Sequence, residues 1–241
     1  MDASGSQLEV TRHGSIVVMT LKRPASGNRI TARMAVEITA ALDATRRDPQ
    51  IGGCVMTGHG DVFCLGGDYR GAGPSTEERA AYAQALIGMD EAMSSLGKPL
   101  VAAVNGDAHA GGFGIVVGCD LAIAADDATL GLPEAAHGLF PFIAQAIVRD
   151  ALPKKLLFDI VYNARLMDAQ EALRLHLVNE AVPRAAVLDR AIEVVKKISQ
   201  YNPEMLRLGR DLYYSMRGTV PEHALEQARV ALAAALKKLD K

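Results

Sequence analysis

The sequence predicts an α/β fold in which short buried strands alternate with helices. Residues 53–57 and 99–104 are short apolar runs next to glycines, as is typical of buried strands. A helical stretch, residues 77–96, separates these two runs, and an amphipathic helical pattern that starts at Thr31 precedes the first of them. The fold class rests on this order of elements, β-α-β-α-β.

The N-terminal part of the chain predicts a hairpin followed by a helix. Residues 8–11 and 15–21 flank the pair at positions 13–14, His-Gly, which favours two strands joined by a tight turn. Thr31 is a candidate N-cap of the helix, and the Asp-Pro pair at positions 48–49 ends it. The apolar residues at helical spacing after Thr31 are Met34, Ile38, Ala41 and Leu42.

Two of the predicted strands are each followed by a glycine loop. The first loop, residues 62–68, contains a glycine pair that includes Gly67. The second pair, Gly111 and Gly112, precedes residues 113–117, which are apolar and lack the alternation of a half-buried strand. We therefore expect the second pair to lie where a strand gives way to a buried helix.

Such a junction suits the binding of an oxygen atom. Glycine lets a ligand approach the backbone closely, and a helix N-terminus offers unpaired N–H groups with partial positive charge. An oxygen that becomes negative during a reaction is stabilised by these features. The alternative interpretation is that the glycines only permit tight packing of a strand against a helix, and a single pair does not decide between the two.

The second half of the chain contains further short strands and then helices. Residues 121–124 and 129–132 predict strands, and residues 133–138 begin a turn or a short helix. The pattern after Gln145 is helical, with breaks near Pro153 and at residues 163–167, 182–183 and 202–203. We predict a β/α core over residues 1–142 and a helical region over residues 143–241 that covers the core or meets neighbouring subunits.

The last predicted helix carries an apolar stripe. Core packing or a subunit contact explains the stripe better than a cofactor site does. Because the helices of this half have little core of their own, we expect them to be buried against sister subunits in a homotrimer or hexamer. The residues of the stripe are Leu225, Ala228, Leu232 and Leu236.

Composition excludes several classes of function. The net charge is -2 and there is no basic stripe, so nothing favours nucleic-acid binding. We find neither an apolar run long enough to span a membrane nor an export signal, and the default expectation is a cytoplasmic protein. The three cysteines lack pairing or metal-ligand spacing, which favours free thiols in a reducing compartment and no metal site; they are Cys54, Cys64 and Cys119.

With both glycine loops in view, the sequence resembles the crotonase, or enoyl-CoA hydratase/isomerase, superfamily. The resemblance spans roughly residues 8–232 and depends on the order and spacing of four short stretches: residues 21–24 with Asn28, residues 63–68, residues 105–120 and residues 132–134. It implies the ClpP/crotonase fold of repeated ββα units, assembled as trimers or paired trimers. It also implies a CoA thioester whose carbonyl oxygen lies between the backbone N–H groups of Gly67 and Gly111, an oxyanion hole.

The resemblance places the proton-transfer group at Glu134. In the hydratases that the sequence resembles, a second glutamate lies three residues after the second oxyanion glycine. In this sequence that position is Gly114. Apolar neighbours of Glu134 disfavour its ionised form and raise its pKa towards neutrality, as proton transfer requires. The local sequence alone is equally typical of a surface or capping carboxylate.

Several other residues are candidates for contact with the substrate. Both His109 and His137 lie close in sequence to the catalytic positions, although structural histidines with backbone partners are common. Arg70 stands where the family often has a basic residue near the CoA phosphates, and it is also an ordinary exposed arginine. The resemblance places four further candidates around the nucleotide and the acyl group: Arg23, Asn28, Leu65 and Asp68. Cys64 has no neighbouring base and is interpreted as packing.

We therefore predict an acyl-CoA enzyme that transfers a proton through a stabilised enolate, with isomerisation or hydration of an enoyl-CoA as the outcome. Coenzyme A enters as part of the substrate, and no permanently bound cofactor is expected. The single carboxylate favours the branch of the family that shifts double bonds. Decarboxylation or carbon–carbon chemistry through the same enolate stays open, as does a non-catalytic acyl-CoA-binding homologue. The resemblance also leads us to expect that the family's usual last apolar and basic helix over the acyl site is missing.

Overall fold

The computed structural model of the chain describes residues 5–239. Residues 1–4 of the predicted core and residues 240–241 of the predicted helical region lie outside the described residues. The strands are β1 (Leu8–His13), β2 (Ile16–Leu21), β3 (Gly53–Gly58), β4 (Val62–Cys64), β5 (Leu100–Val104), β6 (Asp107–His109), β7 (Leu121–Ala125), β8 (Thr129–Gly131), β9 (Leu166–Asp168) and β10 (Glu180–Val182). The helices are α1 (Ala32–Arg47), α2 (Thr76–Ser94), α3 (Gly111–Gly118), α4 (Phe142–Val148), α5 (Lys154–Tyr162), α6 (Ala169–Arg174), α7 (Val187–Ile198), α8 (Pro203–Ser215) and α9 (Pro221–Leu239).

The strands form two sheets. The larger sheet has the order β1-β2-β3-β5-β7-β10 and is parallel apart from the β1–β2 hairpin. The smaller sheet has the order β4-β6-β8-β9, and only its β8–β9 pair is antiparallel. Successive pairs β3/β4, β5/β6 and β7/β8 each contribute one strand to each sheet, and a helix follows each pair. The chain therefore has the repeated ββα units of the predicted fold class, which is confirmed.

Two short strands also occur beyond residue 142, where the sequence predicted a mostly helical region with breaks. β9 pairs with β8, and β10 extends the edge of the larger sheet beside β7. Both strands have three residues and fall at the predicted breaks of the helical pattern, near residues 163–167 and 182–183. The sequence did not predict these two strands, because a strand this short carries no periodicity that the sequence can reveal.

The central strands of the larger sheet, β2, β3, β5 and β7, are buried on both faces. Met19 and Leu21 of β2 face a large apolar cluster that includes the buried side of α1, whereas Ile16 and Val18 face a smaller cluster. Helix α7 closes this second face with Val187, Ala191 and Val195. Burial on both sides explains why the strands are continuous apolar runs. Helix α1 begins as predicted, because the Thr31 hydroxyl accepts a hydrogen bond from the Met34 amide at 3.0 Å.

The C-terminal helices are packed differently. None of the residues of α8 is buried. On α9 the apolar stripe faces outward, with Leu225 exposed by 73% and Leu232 by 60%. Core packing within one chain is therefore the wrong interpretation of this stripe. None of the helices within residues 5–239 is long and apolar enough to cross a bilayer.

All three cysteines are buried free thiols. Burial raises the pKa of Cys54 and of Cys64 to about 12, and it also raises the pKa of Cys119 well above its ordinary value. A thiol in this state is a poor nucleophile. The geometry fits the interpretation of Cys64 as a packing residue.

Candidate active site

The structure brings the two glycine loops into contact. β4 pairs with β6 in the smaller sheet, so the loop after β4 and the start of α3 lie at the same edge. A Cβ atom built on Gly111 would lie 3.6 Å from the amide nitrogen of Gly67, an ordinary van der Waals contact. One built on Gly66 would lie 2.6 Å from Cβ of Ala110, and φ at Gly66 is +94°. Only glycine fits at position 66.

The N–H groups of Gly67 and Gly111 are available for a ligand. Neither group donates a hydrogen bond to any other residue within the described part of the chain. Gly111 is the first residue of α3, whose partial positive charge adds to the field of its N–H group. The preceding residue, Ala110, has φ 55° and ψ -127°, a conformation that costs about 1–3 kcal/mol in a residue other than glycine. This strained turn aims the α3 N-terminus at the first loop.

A cavity of about 610 Å³ opens beside these loops. It is lined by Gly67 and by Glu134, which lies in the 3₁₀ turn Pro133–His137 after β8. Further lining residues come from the loop after β4 and from β6. The residues that line the cavity also include Arg29, Leu65, Asp68, Tyr69, Arg70, His109 and His137.

Glu134 is a buried carboxylate without a partner. Its side chain is 4% exposed, and neither Oε1 nor Oε2 has a hydrogen-bond partner among the described residues. Desolvation by burial raises the pKa of Glu134 to about 7, so the group exchanges a proton near neutral pH. An unpaired buried carboxylate lowers the stability of the fold. A group with this pKa, in one cavity with the free N–H donor of Gly67, fits general acid–base catalysis.

The other side of the glycine loops has no carboxylate at the expected place. Gly114 lies one turn into α3 and lines a second cavity of about 40 Å³ that also touches Gly67 and Gly111. A Cβ atom at Gly114 would lie 3.6 Å from Cα and Cβ of Ala144, so a methyl group fits there without a clash. The wall is mostly apolar, with Ile143, Ile147, Met89 and Met93 among its side chains.

His109 is the end of a chain of hydrogen bonds. The Thr129 hydroxyl donates to Oδ1 of Asp107 at 2.8 Å, so its proton is engaged. Nε2 of His109 lies 2.8 Å from the same hydroxyl and must therefore act as the donor. The remaining ring nitrogen, Nδ1, has no partner within the described residues. Desolvation lowers the pKa of His109, partly opposed by Asp107, which favours a neutral ring whose Nδ1 can accept a proton.

The remaining cavity residues divide into exposed and half-buried groups. His137 is exposed and lines the cavity three residues after Glu134. The exposed side chain of Arg70 also lines it, and no ion pair of Arg70 occurs among the described residues. Leu65 is half-buried and adds apolar surface to the wall. The structure thus brings these three predicted residues to one cavity with Glu134 and His109.

Arg23, Asn28 and Asp68 have roles inside the protein. Arg23 and Asp68 form an ion pair at 2.9 Å, and the Asp68 carboxylate also caps the turn that carries Arg70. Asn28 is fully buried, and its side chain holds three backbone groups through hydrogen bonds of 2.8–3.0 Å. The expectation that Asn28 lines the nucleotide is therefore corrected: its amide has no surface left for a ligand.

Three residues that line the two cavities were not predicted from the sequence. Arg29 lines the larger cavity, and its guanidinium donates to the Leu65 carbonyl at 2.6 Å. Tyr69 lines both cavities, and its pKa is raised by burial and by the charge of Glu134. Asp90 of α2 lies in the wall of the smaller cavity. Arg29 adjoins a stretch that was recognised, but Asp90 has no local signal, since acidic residues are common on exposed helix faces.

No cluster of side chains able to hold a metal ion occurs within residues 5–239.

Comparisons with known proteins agree with this fold. The carnitinyl-CoA dehydratase of Escherichia coli K12 is 33% identical over 224 residues, which cover 92% of this chain and 84% of that protein. An enoyl-CoA hydratase structure from Mycobacterium smegmatis matches with a TM-score of 0.90 and 27% identity, covering 95% of this chain and 91% of that one. An enoyl-CoA hydratase structure from Bacillus anthracis has a TM-score of 0.89 and 25% identity, covering 96% and 91%.

A family model described as enoyl-CoA hydratase/isomerase matches residues 11–238. This range includes both glycine loops, the turn that carries Glu134 and most of the C-terminal helices. The chain therefore belongs to the enoyl-CoA hydratase/isomerase family of the crotonase superfamily.

Proposed function

We propose that the protein catalyses proton transfer on an enoyl-CoA thioester, with Glu134 as the proton carrier. The observation that carries this proposal is the unpartnered Glu134 carboxylate, with a pKa of about 7, in one cavity with the free N–H group of Gly67. A thioester carbonyl between Gly67 and Gly111 places its α-carbon beside this cavity. Removal of an α-proton by Glu134 turns the carbonyl oxygen into an enolate oxygen, which the two N–H groups stabilise.

The oxyanion hole accounts for a large share of the expected rate. Loss of one oxyanion donor in well-studied enzymes costs about 3–4 kcal/mol, and two donors act here. The positions of these two N–H groups are fixed before the substrate arrives. The two loops contact each other, and Gly111 is the first residue of α3, so neither group has much freedom to move. The enolate is therefore stabilised without reorganisation of the backbone.

The CoA portion of the substrate fits the polar end of the larger cavity. Arg29 and Arg70 are the cationic residues in its lining, and an arginine binds a phosphate through two parallel hydrogen bonds. Arg23 is a weaker candidate, because it is already paired with Asp68. We assign phosphate binding to Arg70, with Arg29 nearer to the pantetheine arm.

Isomerisation of a 3-enoyl-CoA to a 2-enoyl-CoA is the reaction that a single carboxylate supports best. Glu134 takes the proton from C2, the electrons spread over the dienolate, and the same carboxylic acid returns the proton to C4. Gly114 offers no second group that would hold a water molecule. One buried group that gains and loses the proton in turn suffices for this shift.

Hydration, or the reverse dehydration, is the second candidate, and two observations favour it. The E. coli relative is named as a dehydratase, and the two solved structures are named as hydratases. His109 also lines the cavity of Glu134, and its Nδ1 is free to accept a proton from water. In this reaction His109 activates the water that adds to C3, and Glu134 protonates C2.

The two reactions are separated by their products in D₂O. Wild type should convert but-3-enoyl-CoA into crotonyl-CoA, and Glu134→Gln should lose this activity while it still binds the CoA ester. A 3-hydroxybutyryl-CoA product from crotonyl-CoA that disappears in His109→Gln would establish hydration instead. Binding without any product or exchange in wild type would identify a non-catalytic acyl-CoA-binding homologue. Deuterium exchange that persists in Glu134→Gln would assign the base to another residue.

The outward apolar stripe on α9 supports the further proposal of a homotrimer or hexamer. Leu225, Leu232 and Leu236 are each more than half exposed in the single chain, and an exposed row of leucines is costly in water. Light scattering should show the mass of three or six chains, and Leu232→Asp should shift the protein towards monomer. A stable monomer at micromolar concentration would contradict the proposal.

A further inference from the structure

The smaller cavity runs from the oxyanion loops to a carboxylate. Gly67 and Gly111 line one part of it, and Asp90 of α2 lines another. A Cβ atom built on Gly118, at the end of α3, would lie 3.7 Å from Oδ1 of Asp90. Gly118 follows Gly111 by seven residues of helix, so Asp90 lies about 10 Å along α3 from the oxyanion hole. An acyl group held in this cavity would have its far end directed towards Asp90.

Asp90 makes no direct contact that explains its position. No hydrogen bond and no ion pair of its carboxylate occurs among the described residues. Burial raises the pKa of Asp90, and the nearby charge of Glu91 acts in the same direction, whereas Arg217 at the end of α8 opposes them. Arg217 is exposed and stacks on the Tyr214 ring at 4.5 Å, so it acts on Asp90 only through its charge. Neither α3 nor α4 brings a titratable side chain into this cavity.

The small size of the cavity restricts the acyl group. Its volume is about 40 Å³, and one water molecule requires about 10–15 Å³, so it holds about three water molecules in a row. Bonded atoms lie closer together than waters do, so the same space accommodates an acyl chain of about five non-hydrogen atoms beyond the carbonyl carbon. A long fatty acyl chain does not fit this space. The side chains of Ile143, Ile147, Met89 and Met93 provide the apolar wall around the middle of the chain.

We propose that this cavity selects a short acyl group whose far end carries a neutral hydrogen-bond donor, such as a hydroxyl, which donates to Asp90. The proposal rests on the proposed function for the placement of the thioester. An acyl group that ends in a carboxylate is rejected by the charge of Asp90, and a cationic end is disfavoured by Arg217. A plain alkyl end leaves a half-buried carboxylate unsolvated and unpaired, which is costly.

The alternative role for Asp90 is structural, in which its attraction to Arg217 holds α8 against α2. This role predicts that Arg217→Met and Asp90→Leu lower the stability of the protein by the same amount. It predicts no change in the preference between two ligands of equal size, since the helix contact does not involve the ligand.

The experiment compares two saturated CoA esters of matched length, 5-hydroxypentanoyl-CoA and hexanoyl-CoA, by calorimetric binding. Saturated esters need no turnover, so the result stands apart from the proposed reaction. Wild type should bind the hydroxyl ester about tenfold more tightly, as expected for a buried hydrogen bond to a charged group. Asp90→Leu should reverse the preference, and Asp90→Asn, which keeps the shape, should reduce it severalfold.

Two controls complete the test. Glu91→Gln removes the neighbouring acidic side chain, which is exposed and does not line the cavity, and it should leave the preference unchanged. Arg217→Met should leave the hydroxyl ester preferred. Equal binding of both esters by wild type, an unchanged preference in Asp90→Asn and Asp90→Leu, or a reversal in Arg217→Met would overturn the proposal. Loss of turnover with an intact preference would contradict only the proposed function.

Discussion

The turn that carries Glu134 and the helix that carries Gly114 border the same pair of glycine loops, yet they differ in their chemistry. The first provides a buried carboxylate without a partner, in a cavity with His109 and Tyr69. The second provides a glycine with room for a side chain, in a cavity whose wall is mostly apolar. The contrast supports our proposals that protons move on one side of the thioester, and that the other side shapes the acyl group.

The largest effect is expected from removal of the carboxylate. Glu134→Ala should lower turnover by about 10² to 10⁴, because general acid–base catalysis supplies that much, with little change in affinity for the CoA ester. Steady-state rates on 2- and 3-enoyl-CoA esters, together with calorimetric binding, measure both quantities. A loss of affinity that equals the loss of rate would mean that Glu134 binds the substrate instead of moving its proton.

The same carboxylate should lower stability at high pH. Its pKa rises from 4.5 to about 7 on folding, so its protonated form is favoured in the native state below pH 4.5, and this advantage is lost as the pH rises through 7. We therefore compare the free energy of unfolding of Glu134→Gln with that of wild type. The variant's advantage should be up to about 3 kcal/mol larger at pH 8 than at pH 4. Urea unfolding of both proteins at the two pH values measures the gain. An equal difference at both values would show that the carboxylate is solvated.

Activity should depend on pH in the opposite direction. Since proton removal needs the ionised carboxylate, kcat/KM should rise about tenfold per pH unit below about pH 7 and level off above it. His109, His137 and Arg29 line the same cavity and share its field. The profile of His109→Gln is the control: a midpoint that survives this substitution belongs to Glu134, whereas one that vanishes belongs to the histidine.

Placing a carboxylate on the other side should change the product. Gly114→Glu should raise hydration relative to isomerisation by about tenfold, because a second carboxylate can hold the attacking water. The 3.6 Å contact with Ala144 shows that the first carbon of the new side chain fits. Gly114→Gln is the matched control, with nearly the same shape and no charge. Equal product ratios in the two variants would assign any change to packing alone.

The smallest effect is expected from Gly114→Ala. Glycine inside a helix is less stable than alanine by roughly 0.5–1 kcal/mol, and the space at this position accommodates the methyl group. Thermal unfolding should show a small rise in Tm, and proton transfer by Glu134 should continue. A fall in Tm would show that α4 lies closer to α3 than the structure indicates.

The sequence predicted the parts of the site that depend on neighbouring residues. Each glycine loop follows its strand directly, and Pro133 adjoins Glu134, so a short stretch identifies each of them. Asn28 was misassigned, since two of its three hydrogen bonds reach groups that are distant along the chain, the carbonyls of His59 and Val62. The contact of His109 with Thr129 likewise joins residues 20 positions apart. Only the pairing of β6 with β8 creates it.

The sequence also failed to predict the place of Asp90 and the presence of strands β9 and β10, for two different reasons. An acidic residue on a long helix is typical of a solvated face, and only the packing of α2 against α3 places it in a cavity wall. A strand of three residues has too few positions to show a period, and its neighbour in the sheet determines its conformation. Tertiary contacts decided both cases.

The burial of every thiol makes the protein convenient for site-specific labelling. Cys54, Cys64 and Cys119 are all enclosed, and burial keeps their thiols protonated at neutral pH. A maleimide dye therefore needs no cysteine-free background and will react first with a cysteine introduced at an exposed position. Dyes placed on α9 of separate chains would report the distance between neighbouring copies by energy transfer, in solution and at concentrations far below those that scattering needs.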